Sequence, residues 1–229
     1  IKVPFDMDQE EVSHIIDDYD LLSVPVVDNA QKLLGIVTVD DVIDVIEEEV
    51  TEDIAHLAGT EVKINKMVDA PAHLVVRARL PWLIFALIGG LLAGSVIEFF
   101  NETLSSVVLL AIFIPVIMSM GGNVGIQSST VFVRGIAIGE IKEPWKYFFR
   151  EIKIGLLMGL LVGITIGLIA HFWKGMPSLG FIVGASMFST IILATTIGIA
   201  IPKMFDKLGV DPAISASPFV TTIEDIMGL

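Results

Sequence analysis

The sequence of 229 residues contains no cysteine. This absence excludes disulfides, thiolate zinc sites and thiol catalysis. The four histidines are far apart and lack the spacing of metal ligands. We also find no nucleophile paired with a base and no glycine-rich phosphate loop. The sequence therefore predicts a protein that is not an enzyme.

Basic residues are nearly missing from the first 70 residues. That segment holds 18 of the 27 acidic residues and only four basic ones, a net charge of −14, whereas residues 71–229 hold nine acidic and ten basic residues. An anionic segment argues against nucleic acid as a partner, because phosphate binding requires a cationic surface. It is compatible with divalent cations.

Long polar stretches are missing from the remainder, which is rich in apolar residues. The chain is 54% hydrophobic, with a mean hydropathy of +0.80. An apolar helix of about 20 residues crosses a bilayer, and five segments are predicted to do so. They are 81–100, 105–138, 152–173, 181–201 and 213–229. Pro115 and Gly121-Gly122 predict a bent or broken second span, and we expect the fifth span to be cut short by the end of the sequence.

The first 60 residues follow another pattern. Apolar residues at helical spacing predict a helix over 8–20 and another from Val39 to Leu57. Between them, two short apolar runs separated by turn residues predict two strands joined by a turn over 24–38. A unit of this size is too small for a stable core of its own, so a partner copy is expected. The expected fold class is a polytopic all-α membrane domain with five transmembrane helices, the last truncated, preceded by a partial α/β domain.

Positive charge predicts the orientation in the membrane. Lysines and arginines cluster before the first span, between the second and third, and after the fourth, whereas the opposite loops carry only Lys174. Short loops rich in these residues stay on the cytoplasmic side. The acidic segment is therefore expected in the cytoplasm of a protein integral to the cell or inner membrane.

Polar side chains inside the apolar segments fall into two groups. Asn123 and Gln127 lie one helical turn apart and share a face, which fits either a helix–helix contact or the wall of an ion pathway. Asp225 lies in the fifth segment, where a carboxylate costs roughly 3 kcal/mol and usually marks an ion or proton path. The alternative places Asp225 at the water interface. Glu224 is expected to be the interfacial residue of the pair.

Three motifs resemble one known family. The stretch Gly-Gly-Asn-x-Gly-x-Gln-Ser at 121–128, Leu-Gly-Val-Asp-Pro-Ala at 208–213, and Thr222-x-x-Asp225 resemble the membrane domain of the MgtE magnesium channels. Residues 24–41 resemble the second CBS repeat of that family, and residues 49–54 resemble its connecting plug helix. The resemblance covers nearly the whole chain and implies three parts. They are a CBS repeat at 1–50 whose partner repeat is missing, an acidic plug helix and linker at 40–79, and a transmembrane domain at 80–229.

The resemblance also implies site residues. It places Asp225 in the pore as the residue that holds hydrated Mg²⁺, in a homodimer with the pore on its axis. The other implied pore residues are Asn123, Gly121, Gly122 and Gln127. The residues implied for regulatory Mg²⁺ on the acidic surface are Asp41, Asp44, Glu49, Glu52 and Asp53. Glu151 and Asp211 match acidic positions nearer the cytoplasmic side, although Asp211 also fits a cap or turn.

The chemistry of Mg²⁺ agrees with this set of residues. Mg²⁺ takes six oxygen ligands and gives up water reluctantly, so carboxylates and carbonyls in a wide site suit it. Two alternatives remain open. One is a secondary carrier of divalent cations coupled to Na⁺ or H⁺. The other concerns ATP as a modulator, because Thr38 and Asp41 resemble the nucleotide contacts of CBS repeats.

Overall fold

The computed structural model describes residues 1–60, 69–215 and 218–228. The chain divides into two compact units, one of Ile1–Ala55 with 69–70, and one of His56–Thr60 with Pro71–Leu229. Part of the predicted linker, 61–68, lies outside the described residues.

The first unit is a small mixed α/β structure. A three-stranded sheet has the order β1-β2-β3, with β1 parallel to β2 and β2 antiparallel to β3. The predicted order of helix, strand, strand and helix is confirmed, and β1 is an addition. Two residues are too few for a periodic pattern, so β1 has no signal in the sequence. The elements are β1 (Val3–Pro4), α1 (Gln9–Asp18), β2 (Ser23–Val27), β3 (Leu33–Thr38) and α2 (Val39–Leu57).

The core of the first unit is correspondingly small. Its buried members are Val3, Val12, Ile16, Val24 and Val42. The side chains of strand β3 are largely exposed, including apolar ones. Five buried side chains provide little apolar burial, which agrees with the expectation that a unit of this size needs additional packing.

The second unit consists of helices. Three of its four long helices have a proline in the first or second position, where the missing backbone N–H costs no hydrogen bond. The first long helix is the exception. The elements are α3 (Ala72–Phe99), α4 (Asn101–Ser106), a 3-10 helix (Val108–Ile112), α5 (Ile114–Ala137), α6 (Pro144–Lys174), α7 (Pro177–Lys207), a second 3-10 helix (Pro212–Ser215) and α8 (Pro218–Met227).

Three helices in the described part of the chain are long and apolar enough to cross a membrane, namely α3, α6 and α7. Helix α5 is long enough but is not one of them, because its glycines, serines, Asn123 and Gln127 lower its hydropathy. Helix α8 has ten residues. The protein is thus a mostly helical membrane protein with a small sheet, and the predicted number of five spans is not confirmed by length and hydropathy.

The predicted break in the second span is present, but it lies elsewhere than expected. The chain leaves the helical conformation at Val107 (φ −137°, ψ 69°) and continues through the first 3-10 helix. Pro115 lies in the first turn of α5, where proline is compatible with a helix, and Gly121-Gly122 lie inside the unbroken helix. The glycines therefore have a different role from breaking the helix.

Candidate ion pathway around the last helix

Helix α8 is held between three other helices and contacts α3, α5 and α7. Phe219 anchors its N-terminal turn. The centroid of the Phe219 ring lies 4.7 Å from that of Phe85 on α3 and 5.3 Å from that of Phe205 on α7. Val220 and Glu224, one turn apart, form the buried face of the helix. Asp225, the next residue, is only half-buried.

The buried carboxylate of α8 is therefore Glu224, with 3% of its surface exposed. Its carboxyl group lies against Gly121 and Gly125 of α5. A Cβ atom added at Gly125 would lie 2.6 Å from Oε2 of Glu224, and one added at Gly121 would also collide with the carboxyl group. The expectation that Glu224 is the interfacial member of the pair was wrong, because glycines on α5 leave room for its side chain in the helix interface.

The predicted pore residues of α5 lie on different sides of that helix. Asn123 and Gln127 are exposed and share one face, as their spacing predicts. Gly121 instead faces Glu224 and Thr190, whereas a Cβ on Gly122 would meet no described atom within 4 Å. The open face of α5 thus carries the two amides, and the face of Gly121 is occupied by α8.

A second close contact holds the opposite side of α8. Thr222 packs on Gly89 of α3, where an added Cβ would lie 2.9 Å from the threonine hydroxyl and closer still to its methyl group. Sequence reasoning missed both contacts. Gly121-x-x-x-Gly125 was a detectable signal, because small residues four apart allow two helices to approach closely.

Two further acidic residues predicted nearer the cytoplasm have defined surroundings. Asp211 accepts a hydrogen bond from the backbone N–H of Ala213 at 2.8 Å, which makes it a turn residue at the second 3-10 helix. Its Oδ2 also lies 3.9 Å from Nε2 of His56. Glu151 is 9% exposed, on the part of α6 that precedes its predicted start at residue 152. The two residues remain predicted Mg²⁺ positions.

The acidic residues predicted to bind regulatory Mg²⁺ lie along α2. Asp41 accepts a hydrogen bond from the hydroxyl of Thr38 at 2.7 Å and one from the backbone N–H of Thr38 at 3.3 Å. The second bond caps the start of the helix, so both predicted nucleotide contacts are already engaged with each other. Asp44 and Glu52 are exposed, and Asp53 is half-buried. A contact with ATP at Thr38 and Asp41 stays a prediction.

Glu49 connects α2 to α1 in the first unit. It accepts a hydrogen bond from Nε2 of Gln9 at 2.8 Å. Burial raises the pKa of the neighbouring Glu10, and the negative charges of Glu49 and Asp53 raise it further. The carboxylates at this contact therefore repel one another, and a cation would relieve that repulsion.

Within 1–60, 69–215 and 218–228, however, no three His, Asp or Glu side chains converge into a group able to hold a metal ion. The described carboxylates thus form no closed cage of direct ligands. The donor set, oxygen with no sulfur, is the one Mg²⁺ prefers.

These features define a class: an integral membrane protein whose helical domain follows a small α/β unit. Residues 1–48 match the CBS domain family, which confirms the predicted CBS identity of the first unit. Residues 114–229, just over half of the chain, match MgtE, described as a divalent cation transporter. The chain belongs to the MgtE family, as the resemblance implied.

Curated relatives agree with that assignment. The magnesium transporter MgtE of Bacillus subtilis is 41% identical over 224 residues, which cover 97% of this chain and 49% of the relative. Those of Thermus thermophilus and Enterococcus faecalis are 38% and 40% identical, over 100% and 96% of this chain and 51% and 48% of their own lengths. The chain spans about half the length of these relatives. They are named as transporters, in agreement with the expectation that the chain is not an enzyme.

Proposed function

We propose that this chain is the membrane and regulatory part of a Mg²⁺-selective channel or transporter in the cell or inner membrane. The observation that carries the proposal is the match of residues 114–229 to the divalent cation transporter family, with a half-buried carboxylate, Asp225, on the last helix. Helix α5 and the segment that begins with α8 complete five spans. The polar residues of α5 are tolerated in a membrane because they line a water-filled path.

In this proposal the protein is a homodimer, and Asp225 of each subunit faces the pore on the two-fold axis. Two opposed carboxylates attract a divalent cation strongly. The ion keeps most of its water because Mg²⁺ dehydrates reluctantly. Asn123 and Gln127, on the open face of α5, supply amide oxygens to those waters. Gly122 contributes by leaving space on the same helix.

The pore is tested by substituting Asp225. Asp225→Ala and Asp225→Asn are expected to abolish Mg²⁺ uptake by cells that have no other uptake system, because each subunit loses the charge that attracts the ion. The matched control is Asp206→Ala, which removes an exposed carboxylate at the end of α7. Unchanged uptake by Asp225→Ala at normal membrane levels would remove Asp225 from the pore.

We further propose that the acidic unit lies in the cytoplasm and closes the pore when cytosolic Mg²⁺ is abundant. The supporting observation is the raised pKa of Glu10, which is caused first by burial and then by the negative charges of Glu49 and Asp53. Mg²⁺ held by Glu49, Asp53 and the other acidic residues of α2 neutralises those charges and favours a compact state. A ligand shifts such an equilibrium by its difference in affinity for the two states.

Gating is tested in Glu49→Gln, with Glu11→Gln as the control because Glu11 is an exposed carboxylate on the neighbouring helix. Currents through membrane patches should require more cytosolic Mg²⁺ for inhibition in Glu49→Gln than in the unmodified protein. Glu11→Gln should behave as the unmodified protein. Identical inhibition curves in all three proteins would contradict the role of Glu49.

The same recordings decide between a channel and a carrier. Current that reverses at the Mg²⁺ equilibrium potential identifies a channel, whereas strict dependence on a Na⁺ or H⁺ gradient identifies a coupled carrier. ATP enters the proposal as a modulator at Thr38 and Asp41. Calorimetric ATP binding that persists in Asp41→Ala would remove that assignment.

A further inference from the structure

Glu224 is a buried carboxylate that has no role in the proposed ion pathway. With 3% of its surface exposed, neither carboxyl oxygen has a hydrogen-bond partner in the described part of the chain. Leaving a buried polar group unsatisfied costs about 1–3 kcal/mol. A residue that carries this cost at the centre of a helix interface calls for an explanation.

The surroundings of the carboxyl group provide one. It occupies a notch on α5 that exists because residues 121 and 125 have no side chains. An added Cβ at Gly125 would lie 2.6 Å from Oε2 of Glu224 and 3.0 Å from Cγ1 of Val220. One at Gly121 would collide with Oε1 and lie 2.8 Å from Cγ2 of Thr190 on α7. The notch accepts a carboxyl-sized group and is closed by α7.

Geometry links this notch to the pore. Successive residues of a helix point about 100° apart, so the rotation of α8 that seats Glu224 also sets the direction of Asp225. On the other side of the helix, Thr222 packs on Gly89 of α3. Helix α8 is thus held on both sides, by Thr222 against α3 and by Glu224 against α5. Resting on the proposed function, we propose that Glu224 is a positioning residue whose carboxyl group, seated between Gly121 and Gly125, orients Asp225 in the pore.

The first test is a double-mutant cycle of Gly125→Ala and Glu224→Ala, read as the Mg²⁺ concentration that gives half-maximal uptake per molecule in the membrane. Each single variant should raise that concentration by about tenfold, as loss of a residue that orients a metal ligand typically does. The double variant should be no worse than Glu224→Ala alone, because the shortened side chain at position 224 leaves room for the new methyl group and the carboxyl group is already absent. Additive effects of the two substitutions would overturn the proposal.

A matched control separates this effect from that of adding any methyl group. Gly94→Ala on α3 places a Cβ where no described atom lies within 4 Å. Alone it should leave uptake unchanged, and combined with Glu224→Ala it should give the same uptake as Glu224→Ala alone. If Gly125→Ala fails to reach the membrane, yield and melting temperature in detergent replace uptake as the readout. Recovery of both in the double variant supports the proposal, and absence of recovery contradicts it.

The second test separates shape from charge. Glu224→Gln keeps the shape of the side chain and should transport as the unmodified protein does, while Glu224→Ala should need about tenfold more Mg²⁺. Loss of uptake in Glu224→Gln equal to that in Glu224→Ala would show that the charge acts directly on the ion, which overturns a positioning role. Asp225→Ala distinguishes the two proposals. If it transports normally, the proposed pore fails, whereas if it is inactive and the cycle is additive, only the role of Glu224 fails.

Discussion

Two adjacent glycines in one helix can respond in opposite ways to substitution by alanine, and α3 contains such a pair. Gly89 packs directly on Thr222 of α8, whereas a Cβ on Gly90 would meet no described atom within 4 Å. Gly89→Ala should therefore lower the melting temperature of the detergent-solubilised protein, at a cost of about 1–3 kcal/mol for overpacking. Gly90→Ala should be neutral or stabilising, because alanine favours a helix more than glycine does.

The same pair checks the contact from its other side. Thr222→Ala removes the methyl and hydroxyl groups that Gly89 faces, so it should restore part of the stability lost in Gly89→Ala. Equal melting temperatures for Gly89→Ala and Gly90→Ala would mean that α8 does not pack on α3 in the way described.

At the residue scale, the sequence predicted which polar residues lie in the apolar helices better than it predicted which of them are buried. The amides of Asn123 and Gln127 share an open face, as helical spacing required. The roles of Glu224 and Asp225 could not be separated from sequence, because which of two adjacent carboxylates is buried depends on how α8 is rotated against α5. That rotation is set by contacts with Gly121 and Gly125, which are far away in sequence.

Among the elements, the contact between α1 and α2 is the one whose stability should depend on pH. The pKa of Glu10 is raised above its ordinary value of 4.5 by burial and by Glu49 and Asp53. The unfolded chain therefore loses this proton at lower pH than the folded chain does. The contribution of Glu10 to the free energy of unfolding is fully present below pH 4.5. It decreases as pH rises through the raised pKa and is lost above that pKa.

Glu10→Gln should remove this part of the pH dependence and make α1 more stable at neutral pH than in the unmodified protein. Hydrogen exchange of peptides from α1, corrected for the intrinsic effect of pH, measures the difference. Glu11→Gln, at an exposed neighbouring position, is the control. Added Mg²⁺ should reduce the difference between Glu10→Gln and the unmodified protein. Parallel pH profiles for all three proteins would contradict the repulsion at this contact.

Which elements could be predicted depended on their length. The long apolar helices α3, α6 and α7 were all anticipated, since runs of about 20 or more apolar residues have few other stable structures in a membrane. Strand β1 was missed because Val3–Pro4 forms a strand only through pairing with Val26 and Val27. The break lies at Val107, whereas it was expected nearer Pro115 and Gly121-Gly122. Isolated propensity ignores that Gly121 accommodates the side chain of Glu224 inside a continuous helix.

For the whole molecule, the uneven distribution of charge has a consequence for topology. The net charge of −14 is confined to residues 1–70, and the lysines and arginines of residues 71–229 concentrate in alternate loops. Helices α6 and α7 are joined by a short turn through Gly175, with φ of 66°. That turn should face outward, and the loop between α5 and α6 should face the cytoplasm together with the acidic unit.

The lack of cysteine in these 229 residues makes this topology measurable, because an introduced cysteine is the single thiol among them. Asp18→Cys and Glu140→Cys place it on exposed positions of the acidic unit and of the α5–α6 loop, and Met176→Cys places it on the α6–α7 turn. A membrane-impermeant maleimide should label Met176→Cys on intact cells, and the other two only after permeabilisation. The unmodified protein should stay unlabelled. Labelling of Asp18→Cys on intact cells would place the acidic unit outside, where cytosolic Mg²⁺ does not reach it, and the proposed feedback would then fail even if Asp225 lines the pore.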